Sequence, residues 1–305
     1  MAAIDFNRSQ ELTDGQQNNP PGQLYLVEGA SSREQPNDLN LTLSTPVTDK
    51  DVYDMAALDV RSFRDVYGAN LDAGRYLRSV FQRRLEITGS DWTQLVRDSG
   101  GALLGFLMCC PTDKKPEDFT SWEETTNNGT LEGVCNPKGP NVYVVSLTTT
   151  PNRFGGETYQ GMLYANLIGK FIAENMELAF FESRMPMFRR WARKQTRSKN
   201  LKLGSLGDDD LQKLANEYAK LTSEDEDGNI ALQDPVLREF ARLGCKFLDP
   251  VPNAYEDPMS LNFGCVGIFD NPLPRLMRSI PGIPRAAGTI IRAASKHPSL
   301  VDRFI

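Results

Sequence analysis

Hydrophobic and polar positions are most tightly patterned over residues 141–183. Val142 to Leu147 is an apolar run rich in β-branched residues, long enough for a strand and too short for a helix. Pro151 and the pair Gly155-Gly156 end it. From Tyr159, apolar residues recur at helical spacing, at Met162, Leu163, Ala165, Leu167, Ile168, Phe171 and Ile172, and Thr158 is placed to cap that helix. Leu178 to Phe181 predicts a second short buried strand. The stretch therefore reads as strand, glycine-bearing turn, helix, strand.

The chain before it gives a half-exposed strand at Leu39 to Leu43, where Leu and polar residues alternate. A helix from Thr48 to Tyr67 follows, capped by Thr48 or Asp49, with Met55, Leu58, Phe63 and Val66 inward. A second helix, Leu71 to Ile87, carries Tyr76, Leu77, Val80, Phe81 and Leu85 as its apolar stripe. Trp92 to Arg97 and Ala102 to Cys109 form a hairpin through the tetrad Asp98-Ser99-Gly100-Gly101. Residues 111–140, polar and rich in Pro, Gly and Asn, read as a long surface loop.

Beyond the centre, an amphipathic helix begins after Pro186 within 184–202. A short helix follows over 211–221 with Asp209 or Asp210 as cap. A helix over 234–244 has Asp234 before it, Pro235 in its first turn and Gly244 at its end. Cys245 to Leu248 and Phe263 to Phe269 read as strands. The pattern divides the chain into a mobile arm over 1–37, in which only Leu24 to Val27 could pair, a body over 38–270 with an insertion at about 185–233, and a basic extension over 271–305. The extension holds a short helix over Ala286 to Ser295, either a brace for the body or a surface for a partner or a membrane.

Composition narrows the function classes. With 40% apolar and 24% charged residues, the 305-residue chain has the make-up of a soluble globular protein. A net charge of −6 disfavours general nucleic-acid binding. No apolar run approaches a membrane span, and the N-terminus lacks the design of a signal peptide. Five cysteines, at 109, 110, 135, 245 and 265, have no metal spacing and suggest reduced thiols in a cytoplasmic protein. A single histidine, His297, argues against histidine catalysis in the body and against a His-rich metal centre. Residues 184–202 carry eight bases and no acid, from Arg184 to Lys202, either a solvated helical face or a surface for an anionic partner.

A glycine-bearing turn that opens a helix attracts phosphate, because the first amides of the helix are unpaired and its N-terminus is partly positive. Here the turn is Arg153-Phe154-Gly155-Gly156-Glu157-Thr158. It resembles the R-x-x-G-x-G/A signature of the GNAT acyltransferase superfamily. Arg153 and Gly156 match it, and Thr158 stands where Gly or Ala is usual, a bulkier residue at a position facing pyrophosphate. The element order is also similar to that of the GNAT fold, an α/β (α+β) architecture whose mixed central sheet splays between its fourth and fifth strands and is flanked by helices. The Leu243-Gly244 helix end is a second landmark. S-R-M-P-M-F at 183–188, D-P-V-L-R at 234–238 and N-F-G at 262–264 resemble the GNAT-like domains that load starter units in some polyketide synthases, over about 141–270.

That resemblance implies transfer of an acyl group from acetyl-CoA or another acyl-CoA to an amine or to a carrier-protein thiol, without a metal. Its alternatives are acyl-CoA decarboxylation with loading of an acyl carrier protein, and binding of acyl-CoA or a carrier without turnover. It implies that the cofactor lies along Leu147, Thr148, Thr149, Arg153, Phe154, Gly155, Gly156, Thr158 and Tyr159, and that 184–202 meets either the 3′-phosphate of coenzyme A or the acidic surface of an acyl carrier protein. The family's usual acid, four residues before the helix-ending glycine, is replaced here by Phe240, which carries no titratable proton. The loading domains' histidine is missing at the same place. The local substitutes are Glu182 and Ser183 at the end of the fifth strand and Tyr164 in the helix, with Tyr255 in the loop before the last strand.

Overall fold

Each apolar stripe in the sequence needs a surface to cover it, and a central sheet gives all of them one. A computed structural model describes residues 41–63, 73–150, 156–224 and 228–301. Its elements are β1 (Thr42–Ser44), α1 (Asp49–Ser62), α2 (Ala73–Thr88), β2 (Thr93–Arg97), β3 (Leu103–Thr112), α3 (Trp122–Thr126), β4 (Asn141–Thr149), α4 (Gly156–Ala173) and β5 (Leu178–Arg184). There follow α5 (Phe188–Ser198), α6 (Asp208–Ala219), β6 (Thr222–Glu224), β7 (Ile230–Leu232), α7 (Pro235–Arg242), β8 (Lys246–Phe247), β9 (Gly264–Asp270), α8 (Arg275–Arg278), α9 (Ile283–Ala294) and α10 (Pro298–Val301).

Seven strands make one mixed sheet in the order β1-β2-β3-β4-β5-β9-β8, in which β4 and β5 are the parallel pair. Strand side chains alternate between faces, and both faces are buried. On one, α1 and α2 bring Met55, Leu58 and Phe81 against Phe106, Tyr143 and Phe180. On the other, α4 brings Met162, Leu163 and Phe171 against Leu107, Val142 and Ala179. A third cluster, with Phe188, Tyr218, Leu237 and Phe263, joins α5, α6 and α7. α9 lies on the back of α4 at two glycines. A Cβ on Gly288 would stand 2.2 Å from the Gly169 carbonyl oxygen and 2.5 Å from the Ala173 nitrogen, so the two backbones meet directly.

The helix starts differ from their sequence expectations in instructive ways. Thr48 does cap α1, accepting from the Asp51 amide while the Asp51 carboxylate accepts from the Thr48 amide. Asp234 caps α7 through the amides of Val236 and Leu237. Thr158 does not cap α4, which already begins at Gly156. Asp209 and Asp210 do not cap α6 either. Gly207 occupies that position, and Asp208, Asp209 and Asp210 fill the first turn, where negative charge suits the helix dipole. The basic helix is shorter than 184–202, and the C-terminal helix starts at Ile283 rather than Ala286. The hairpin of β6 and β7 carries no apolar alternation and was not expected.

The largest correction concerns residues 111–140. They are no surface loop: Phe119, Leu131 and Val134 are buried in the α1/α2-side core. Leu131 enters it at φ 66, a left-handed conformation costly for leucine and held by its fully buried side chain. The expected strand Leu24 to Val27, the arm over 1–37, Val66 and the turn residues Arg153, Phe154 and Gly155 lie outside the described residues.

Candidate functional site

β4 and β5 pair only at Val142 with Ala179 and Tyr143 with Phe180. Beyond Tyr143 and Phe180 the two strands continue without pairing to each other, β4 held by β3 and β5 by β9. The sheet therefore opens between them over 144–149 and 181–184. Thr148 is buried there, and its hydroxyl donates to the Asp59 carboxylate of α1 at 2.7 Å. The Thr149 carbonyl accepts from Ser62 at 3.2 Å, and Leu147 is part-buried. Tyr159 in α4 is buried and donates to the Thr150 carbonyl at 2.7 Å, tying the helix to the end of β4. Gly156 and Thr158 stand in the first turn of α4, at the opening's edge in sequence.

Alternation along β5 puts Phe180 and Glu182 on the α1/α2 side with Tyr143 of β4. The Tyr143 hydroxyl lies 2.7 Å from both carboxylate oxygens of Glu182 and donates to them. Glu182 is part-buried, and its carboxyl is held by the Tyr143 hydroxyl. Burial pushes that carboxyl up to about 7, against the opposing hydrogen bond from Tyr143. The charges of Glu123 and Arg84 act on it in opposite senses. Arg84 is buried, donates to the Gly129 carbonyl at 2.5 Å and lies over the rings of Phe81 and Trp122. Segment 111–140 thus builds part of this environment, and the Trp122 amide ties it to the Ala254 carbonyl at 2.7 Å.

Tyr255 completes the same side. Its hydroxyl is buried with no hydrogen-bond partner among the described residues. It rests over Gly264, where a Cβ would stand 3.1 Å from the hydroxyl oxygen. Gly264 is opposite Arg184 in the β5–β9 ladder, and Glu182 is opposite Val266. Burial, and after it the Glu182 charge, keep the Tyr255 phenol protonated well above its ordinary range. Arg184 donates to both carboxylate oxygens of the buried Asp257, at 2.8 and 3.0 Å. An orphaned buried hydroxyl destabilises a fold by about 1–3 kcal/mol. Tyr255→Phe is therefore expected to raise Tm in calorimetry of the ligand-free protein; a fall would show that the hydroxyl is held by partners of its own.

The other two candidates do not join Glu182. Ser183 points to the opposite face by strand alternation, buried, with the Arg184 carbonyl 3.3 Å from its hydroxyl. Tyr164 lies in the α4-side core and accepts from Gln160 at 2.8 Å. Phe240 is on that face too, its ring 4.3 Å from that of Phe181 and 6.1 Å from that of Tyr164. The position where an acid was expected holds a part-buried ring packed against two other aromatic rings. Sequence reading missed Tyr143 and Arg84. A tyrosine within an otherwise apolar run does signal a hydroxyl that needs a buried partner; Arg84 gives no such signal among the ordinary bases of α2.

No family model matches this sequence, and no curated protein does. Solved structures do match, and they define the architecture: this is the GNAT fold. One is the loading GNATL domain of CurA from Lyngbya majuscula, 14% identical, with 76% of this chain and 98% of that domain covered at a TM-score of 0.53. Another is the GphF GNAT-like decarboxylase in complex with isobutyryl-CoA, 17% identical, covering 75% of this chain and 99% of that one at a TM-score of 0.50. Among the described residues no helix is long and apolar enough to cross a membrane, and no group of three or more acidic, His or Cys side chains could hold a metal ion.

Proposed function

We propose that this chain is an acyl-CoA-dependent acyltransferase of the GNAT type that works in the opening between β4 and β5. The observation that carries this reading is Glu182: a carboxyl pushed up to about 7 by burial, at the end of β5 where the parallel pairing has stopped. A base poised near neutral pH is what acyl transfer needs to take the proton of an incoming amine or thiol. Tyr143 orients that carboxylate from the neighbouring strand. Tyr255 offers a neutral, unengaged donor to a developing oxyanion or to the acceptor. The pyrophosphate of the acyl-CoA binds at the N-terminus of α4, held by Arg153, Phe154, Gly155, Gly156 and Thr158, and its pantetheine arm runs along Leu147 to Thr149. The complex of the similar GphF decarboxylase with isobutyryl-CoA supports an acyl-CoA as co-substrate.

A carrier-protein thiol is the acceptor favoured by α5. Arg190, Arg193, Lys194 and Arg197 are exposed on it and form no salt bridge among the described residues, a surface suited to an acidic carrier. Decarboxylation with loading is the second reading, supported by the same surface and by the two similar structures; Phe240 leaves it without the expected histidine. A cytoplasmic location accords with five free thiols and with acyl-CoA as co-substrate.

The test begins with binding. Gly156→Asp puts bulk and negative charge at the first residue of α4 and is expected to abolish coenzyme A binding in calorimetry while Tm holds. Unchanged affinity would remove the pyrophosphate site from this helix. Thiol release from acetyl-CoA or malonyl-CoA in the presence of amine or carrier acceptors then separates transfer from binding without turnover.

A further inference from the structure

Cys109 and Cys110 are neighbours on β3 and face opposite sides of the sheet, Cys109 into the α4-side core and Cys110 into the α1/α2-side core. The 111–140 segment folds back and brings Cys135 to the Cys110 side. There the Asn136 amide donates to the Pro111 carbonyl at 2.8 Å and the Thr112 hydroxyl to the Val134 carbonyl at 2.7 Å, which sets Cys135 beside Cys110 against the same core. Cys110 is fully buried, whereas Cys135 reaches the surface, 3.9 Å from the Ile87 carbonyl near the end of α2. One part-exposed thiol thus neighbours one closed thiol, and neither belongs to the acyl-transfer site.

We propose that Cys135 and Cys110 form a dithiol modification site for hydroperoxides, Cys135 being the thiol attacked first and Cys110 the thiol that resolves it. The Cys135 thiolate attacks the terminal peroxide oxygen. An S–O bond forms, the O–O bond breaks, and the departing oxide takes a proton to become water or an alcohol. Sulfur loses two electrons, which the peroxide gains, and Cys135 is left as a sulfenic acid. Cys110 then gives up its proton and attacks that sulfur. The S–S bond forms, the S–O bond breaks, and hydroxide leaves with the Cys110 proton as water. Two thiols and one hydroperoxide become one disulfide, one alcohol or water, and one further water.

The other thiols supply the contrast. The neighbouring Cys110 thiol holds the Cys135 thiol below its ordinary value, while burial pushes Cys245 and Cys265 up to about 12 and Cys109 well above its usual range. Reactivity follows thiolate content and access, and Cys135 has both. The nearby Arg84 charge eases the later deprotonation of Cys110. The site adjoins the acyl-transfer pair, since Cys110 is opposite Tyr143 in the β3–β4 ladder. Closing the bridge would pin the 111–140 segment to the sheet two strands from Glu182.

The test treats the full-length protein with near-stoichiometric hydrogen peroxide, blocks remaining thiols and maps the peptides by mass spectrometry. A Cys110–Cys135 linked peptide that dithiothreitol reverses is expected. Cys110→Ser should leave a sulfenic acid at Cys135, captured by a cyclic 1,3-diketone, and Cys135→Ser should leave Cys110 a free thiol. On the unaltered protein, which needs no variant to fold, iodoacetamide should label Cys135 at least about tenfold faster than the part-buried Cys245. Labelling of Cys245 as fast as Cys135, or oxidation of Cys135 to a sulfinic acid with no bridge to Cys110, would overturn the proposal.

Discussion

Glu182→Gln is expected to lower acyl-CoA turnover by about 10²- to 10⁴-fold, the usual contribution of a positioned general base. It should leave coenzyme A affinity within a few-fold of the parent, because the carboxyl lies on the α1/α2 side and away from the start of α4. The pH profile is the sharper readout. Glu182 must be ionised to accept a proton, and its carboxyl is held up at about 7 by burial, so the rate should rise with pH to a plateau above about 7. The variant should lose that limb. Stability should move the opposite way. A carboxyl whose folded pKa exceeds its unfolded value favours the fold most below the unfolded value of 4.5, and this contribution is lost as pH rises through about 7. At pH 8 the parent carries a part-buried carboxylate, whose charge disfavours the fold. Glu182→Gln should therefore raise Tm at pH 8 and change it little at pH 4. A rate profile without a limb near 7 would remove Glu182 from the role of base.

Gly288→Ala carries the second large effect, and its sign decides the matter. In an open helix, alanine in place of glycine stabilises by about 1 kcal/mol. Here the new methyl would stand 2.2 Å from the Gly169 carbonyl, 2.5 Å from the Ala173 nitrogen and 2.6 Å from the Ala173 Cβ. Two of those three atoms are backbone and cannot rotate away. α9 must then shift off α4, and overpacking of this kind costs about 1–3 kcal/mol, more when backbone is displaced. The expected result is net destabilisation of about 2 kcal/mol, roughly 4–8 °C in Tm by calorimetry. A rise in Tm would mean that the two helices do not cross at these glycines. The basic extension thus serves the body as a brace through α9; its α4-facing residues Ala287 and Ile291 pack into the core beside Met162 and Phe171.

Much of this was legible in the sequence because periodicity records burial. The stripe Met162, Leu163, Phe171 and Ile172 gave α4, and Asp234 with Pro235 gave the start of α7. Residues 111–140 were not legible for the same reason. Their buried anchors Phe119, Leu131 and Val134 are too far apart to form any period, and polar residues surround each one. The site followed suit. Glu182 stood out as a carboxylate ending an apolar strand. Its partners come from elements distant in sequence: Tyr143 is 39 residues away and lies beside it only because β4 and β5 pair in parallel at that level. The grouping of Ser183 with Glu182 failed on strand alternation, which sends adjacent residues to opposite faces.

The way β5 is held has a consequence for the order in which the chain must assemble. β5 pairs with β4 at its first turn of ladder only, and along its whole length with β9, which follows it by some 80 residues. During synthesis the N-terminal strands β1 to β4 can close on α1 and α2 while β5 still presents an open, apolar edge containing Ala179, Phe180 and Phe181. That edge is silenced only when residues 264–270 leave the ribosome and slot between β5 and β8. Chains stopped before that point should be the aggregation-prone ones, and a chaperone that shields exposed strand edges should matter most in this interval.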